Sequence, residues 1–329
     1  MPGTRRRAPS LRSLLPAIGA LAGLAFLVHG VDLPRAATAL READPWWLAG
    51  GVALSALSLG GGAMVWICLV RDRAPEISAP TLLMWHLRSL LAGQILPTGA
   101  GGDAVRGVAV ARLAGTGTAL GSLAMGRVNS ALAMALWGVA GAALLHDAVG
   151  TGVVVTSCVG LCAMLIALGL ALNADAVVRL LGRSRRHTAA RIASSVAPLA
   201  TTLASWRRRP GLMLLIALMA TAGWGINLAA LTLFGHAVGV DAGWQVFAVT
   251  IPVTLAATWL PVAANGIGVR EGILVGLLVH AGAGSGQAAA LSVLIDLQML
   301  AFALLGAMLW LQTCESRPHA EPALASEAA

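Results

Sequence analysis

Two short stretches concentrate the chain's reactive side chains and its backbone breaks. The first, LPTGAGGDAVRG at 96–107, brings Pro97, four glycines, Asp103 and Arg106 into an otherwise apolar run. The second, LPVAANGIGVREG at 260–272, does the same with Pro261, Asn265, Gly266, Gly268, Arg270 and Glu271. Aligned on the prolines, Gly102 falls on Gly266, Val105 on Val269 and Arg106 on Arg270, so the Pro-to-Arg spacing is shared. A glycine-rich turn lets several backbone N–H groups point to one side, and the helix that follows adds its positive dipole end. An arginine one turn in completes an anion site. In this reading Gly101, Gly102 and Arg106 form one such site, and Asn265, Gly266, Gly268 and Arg270 form a second. The opposing reading is that Pro and Gly only permit a tight turn, with Arg106 paired to Asp103 three residues back. Gly99, Gly101 and Ala104 also satisfy the dinucleotide fingerprint formally, but an apolar helix precedes them where that motif needs a strand.

Other polar residues lie inside apolar runs, where charge is costly and is seldom retained without a role. Asp296 interrupts LSVLIDLQML, and Arg127 follows Gly126 in AMGRVNSAL. Asp296 reads either as a proton-coupling carboxylate or as the structural partner of Arg127, Arg106 or Arg270. Arg127 can alternatively extend to the headgroup level. Asn227 lies inside another run, and His86 and Arg88 precede the first break. Cys68, Cys158, Cys162 and Cys314 form no CxxC pair, and no metal site is indicated. No nucleophile–base constellation, paired-carboxylate motif or Walker A loop emerges, so neither an enzyme nor a cofactor is expected.

The elements that carry these residues are set by composition. Hydrophobic residues make up 58% of the 329 and charged residues 11%, against roughly a quarter charged in soluble domains. The net charge is +8, and all 22 basic residues are arginine. They lie between apolar runs, which favours membrane topology and anionic headgroups over nucleic acid. About twenty apolar residues cross a bilayer, and six segments qualify: 12–31, 46–70, 118–145, 151–172, 210–234 and 287–312. The first follows Arg5, Arg6, Arg7 and Arg12 and reads as an uncleaved helix. Residues 81–97 and 244–261 each end in a Pro-Gly break, and the first covers only about 25 Å. The arginine-rich N-terminus and segment 173–209 are expected in the cytoplasm, and 32–45 outside. The crossing count then closes only if each broken region dips into the membrane and returns.

The expected fold is therefore an all-α polytopic membrane protein with six full spans and two re-entrant hairpins. Residues 12–146 and 150–312 form its halves, each with two spans, a hairpin and one span. Three crossings per half make them an inverted repeat, and paired Gly/Pro-broken segments at matching positions point to a transporter-type binding site. Residues 1–11 are expected as a basic cytoplasmic N-terminus and 313–329 as a polar cytoplasmic tail, of a multi-pass protein of the cell (inner) membrane.

With these segments in view, the chain resembles the lysylphosphatidylglycerol synthase transmembrane-region family. LPTGAGGDAVRG is similar to its P…GGD-x-VR element, and LPVAANGIGVREGILVGLLVHAG to its P-x-x-x-NGxGVREG element. The likeness extends over roughly residues 12–312. Gly126 departs from it, since family members often carry Asp before the arginine. The resemblance implies a flippase-like domain without the soluble aminoacyl-transferase domain found in fused members. The expected activity is translocation of a phospholipid or lipid-linked conjugate between leaflets. Arg106, Arg270 and the glycine turns would hold the headgroup phosphate, and Asp103, Glu271 and Asp296 would balance charge. Membrane lipids are the expected partners. Two alternatives stay open: a non-transporting subunit for a separately encoded transferase, and an ion-coupled small-solute transporter.

Overall fold

A computed structural model describes residues 33–95, 100–182, 187–258 and 269–315. The expected first span at 12–31, the breaks at Pro97 and Pro261, and Asn265, Gly266 and Gly268 lie outside the described residues. Those residues form α1 (Leu33–Arg41), α2 (Pro45–Arg73), α3 (Ala79–Ile95), α4 (Ala100–Leu144), α5 (His146–Leu172) and α6 (Ala174–Gly182). They continue as α7 (His187–Ser205), a 3-10 turn (Trp206–Arg208), α8 (Pro210–Ala237), α9 (Trp244–Thr258), α10 (Val269–His280) and α11 (Ser285–Glu315). No strand occurs among them.

Five segments are long and apolar enough to cross a membrane: Pro45–Arg73, Gly101–Leu144, Gly150–Leu172, Pro210–Ala237 and Ser285–Met308. They match the five expected spans that fall within the described residues. Helical backbone satisfies its own hydrogen bonds, as hydrocarbon requires. The apolar side chains that in water would need a core can instead face lipid. Accordingly α5 buries no residue over Gly150–Leu172, and Val159 and Ile166 are exposed.

The helix after the first break and the span expected at 118–145 follow one another directly as the two arms of α4, separated by a non-helical kink at Gly115. Gly115 holds φ at 82°, a left-handed conformation that lets the chain bend without a loop and that a side chain would resist.

The core is organised around α2 and α8, an antiparallel pair. Gly51 lies against the Phe234 ring, and the Ser58 hydroxyl donates to the Gly223 carbonyl at 2.9 Å. Farther along, Val65 and Ile216 share a buried cluster. At the α2 N-terminus Asp44 accepts from the Trp46 N–H at 2.8 Å, while its own N–H donates to the Ala237 carbonyl. At the other end the buried Asp72 carboxylate accepts from the Trp206 indole N–H at 3.0 Å and pairs with Arg209. Arg207 donates to the Asn173 side chain at 2.7 Å, which brings the end of α5 to the same place. Arg71, Arg73, Arg207, Arg208 and Arg209 thus gather at one end, and Trp46, Trp47 and His236 at the other. Asp175, near the basic end, is held below the usual carboxylate range by its hydrogen bond from Arg179.

The broken segments pack crosswise. α3 lies on α11, where Gly306 meets the Leu87 carbonyl so closely that a Cβ would have no room. α9 lies on the second part of α4, where a Cβ on Gly141 would come within 2.8 Å of the Gln245 carbonyl. Each short helix from one part of the chain therefore rests on a long helix from the other. A bulkier residue at Gly306 must push the α3 backbone away. Gly306→Val should lower stability by about 1–3 kcal/mol, the cost of overpacking a tight contact. A fall in the thermal midpoint in detergent, with unchanged helix content, would register it.

Candidate functional site

The two arms of the first break approach through a glycine. A Cβ on Gly102 would lie 3.0 Å from the Ser89 carbonyl, so α3 and α4 meet only because that side chain is absent. Gly101 and Gly102 are both buried in the first turn of α4.

From that turn, α4 projects Asp103 and Arg106 on one face. Arg106 forms an ion pair with Asp103, and its other terminal nitrogen is 3.1 Å from His86 Nδ1 on α3. Its guanidinium lies over the Trp66 ring of α2, 5.4 Å from the centroid. Arg127 reaches the same carboxylate, with Nε at 2.8 Å and a terminal nitrogen at 2.6 Å. Asp103 therefore bridges two guanidiniums, which leaves these three residues with a formal surplus of one positive charge. Arg106 Nε, His86 Nε2 and Trp66 Nε1 are buried without a hydrogen-bond partner among the described residues. Buried polar atoms are rarely left so, and these keep hydrogen-bonding capacity beside the arginine.

The second arginine has a comparable setting. Arg270, in the first turn of α10, pairs with Asp296 of α11 and with the neighbouring Glu271, whose carboxylate is 2.9 Å away. Its third nitrogen donates to the Met299 sulfur at 3.5 Å. Glu271 is buried and Asp296 partly exposed. Of the partners considered for Asp296, the structure selects Arg270.

Both arginines line one cavity of about 480 Å³ between α2, α3, α4, α8, α9, α10 and α11. Asp103, Arg106, Arg127 and His86 contribute from the first break's side, and Arg270 from the second's. Ser58, Ser122, Ser130, Asn227, Thr254 and Gln298 add uncharged polar groups to an otherwise apolar wall. The volume falls in the range of small-molecule sites. The cavity thus combines apolar walls with a few charged groups of both signs.

Most of the expected residues within the described segments converge here. Asp103, Arg106, Arg127, Arg270 and Asn227 line the cavity, while Glu271 and Asp296 adjoin Arg270. His86 also lines it, whereas Arg88 stacks over Trp85 at 5.0 Å. Arg127 finds an ionic partner in Asp103 even though Gly126 precedes it. Trp66 was not expected; in AMVWICLV nothing separates it from the lipid-facing tryptophans of other spans. Among the described residues no group of three His, Cys, Asp or Glu side chains is placed to hold a metal.

A search of curated proteins finds no match. The family profile described as the lysylphosphatidylglycerol synthase TM region matches residues 13–307, nearly the whole chain and both broken segments. The chain belongs to the lysylphosphatidylglycerol synthase transmembrane-region family.

Proposed function

We propose that this protein moves a phospholipid, or a lipid-linked conjugate, between the leaflets of the cell (inner) membrane, with its termini in the cytoplasm. The observation that carries this reading is the shared cavity: arginines from two distant, similarly spaced breaks face one space lined largely by apolar side chains. A headgroup phosphate engages Arg106 and Arg127 from one side and Arg270 from the other. Asp103, Glu271 and Asp296 hold those guanidiniums in place and balance their charge until a phosphate competes for them. Gly101 and Gly102, opening α4, add backbone N–H groups to the first position.

The crosswise packing supports the inverted-repeat reading. α3 on α11 and α9 on α4 are reciprocal contacts between the halves, and α2 and α8, the second span of each half, pair with each other. α3 begins beside the basic end and α4 returns there before Gly115, as a hairpin entering from that side would. Rocking one half against the other would then expose the cavity to each leaflet in turn.

Reconstitution into liposomes with headgroup-labelled lipid and a membrane-impermeant quencher tests this. The protected inner-leaflet fraction should shrink with protein present for at least one lipid class. An unchanged fraction across anionic, zwitterionic and aminoacylated lipids would sink the transport reading and leave a partner subunit of a lipid-modifying transferase as the better account.

A further inference from the structure

The first arm of α4 has a second face, turned away from Asp103 and Arg106. Ala104, Val105, Val108, Ala109, Arg112 and Leu113 recur there at helical spacing and, with Thr81 and Trp85 of α3, border a groove of about 530 Å³. It is separate from the central cavity, sharing no lining residue with it, and α3 and α4 form walls of both. Val108 and Leu113 are exposed, so the groove opens sideways, onto lipid if the hairpin sits in the bilayer. All but two of its lining side chains, Thr81 and Arg112, are apolar or aromatic. Both belong to its mouth: Thr81 is in the first turn of α3, shortly after Arg71 and Arg73, and Arg112 lies one turn before the Gly115 kink. Among the described residues Arg112 has no ion pair, in contrast to Arg106, Arg127 and Arg270.

A cation without an ion pair at the mouth of an apolar groove matches one ligand form, an anionic group joined to a hydrocarbon chain. We propose that this groove seats a glycerophospholipid of the leaflet at the basic end, with its phosphate on Arg112 and an acyl chain between Trp85 and Val108. A soluble anion would have no use for the apolar length, and a lipid without an anionic headgroup would leave the arginine unmatched. The site places a lipid one helix wall from Arg106. Only its service as a waiting position rests on the proposed transport; the binding itself does not.

The test uses the full chain in vesicles containing a phosphatidylglycerol with a photoactivatable acyl chain, followed by peptide mapping. Adducts should concentrate on residues 81–85 and 104–113 above the level on α5, whose lipid-facing surface serves as background. Arg112→Ala should reduce them about fivefold, the worth of one interfacial arginine toward an anionic lipid. Arg112→Lys should restore them, and Val108→Trp, which fills the groove, should remove them. Arg112 is exposed, so its replacement should leave the fold intact, as an unchanged thermal midpoint would show. Wild-type labelling in Arg112→Ala, or adducts no denser than on α5, would overturn the site. Displacement by excess inorganic phosphate would reduce it to a simple anion site and overturn the lipid seat. Arg112-dependent adducts in a protein that fails to translocate lipid would support this site while removing the transport reading.

Discussion

Arg106→Ala is expected to lower headgroup translocation by roughly 10- to 100-fold, because a hydrogen bond to a charged group is worth about 1.5–3 kcal/mol. The same substitution should leave the protein folded. Asp103 keeps Arg127 as a partner, so no carboxylate is stranded, and the stability cost stays well below the about 3–5 kcal/mol of breaking a buried pair. Arg106→Lys should fall between the two. An ammonium carries the charge but cannot pair with Asp103, reach His86 and stack on Trp66 at once. The liposome quenching assay gives the rate, and a thermal melt of the same preparation separates lost function from lost structure. Wild-type translocation in Arg106→Ala would remove this arginine from the substrate path, however well it lines the cavity.

The features legible in the sequence were those set by local periodicity and length. Within the described residues, apolar runs of about twenty residues form helices long enough to cross a bilayer. The matched spacing of Arg106 and Arg270 behind their prolines brought attention to two positions that the fold then places on one cavity. Contacts made by folding back were not legible. Arg127 and Asp103 are 24 residues apart on one element and meet only because Gly115 bends α4 between them. The glycine-rich stretch around 115–117 looks like an ordinary loop until its backbone angle is known. Likewise, Gly306 resembles any small residue in a span, and its importance lies in the Leu87 carbonyl it lets approach. Asp296 had three arginines as candidate partners, and only tertiary packing could choose among them.

That choice makes Arg270 the sharper test of whether these charges serve structure or substrate. Arg270→Ala removes the guanidinium that pairs with Asp296, and an unmatched carboxylate within a span is strongly unfavourable. The expected cost falls in the about 3–5 kcal/mol range for breaking a buried pair, because Asp296 is partly exposed but Glu271, which also pairs with Arg270, is buried. Translocation should fall at least as far as in Arg106→Ala. Adding Asp296→Asn to Arg270→Ala removes one of the two carboxylates that pair with Arg270, leaving Glu271, and should return part of the lost stability. If Arg270 only anchors α10 to α11, the double variant should recover transport along with its thermal midpoint. If Arg270 holds the headgroup phosphate, the midpoint should recover and transport should not. The proposed function requires the second outcome, a folded double variant that leaves the protected lipid fraction unchanged. Recovery of both would confine Arg270 to a structural role and leave only the Arg106 side of the cavity to bind phosphate.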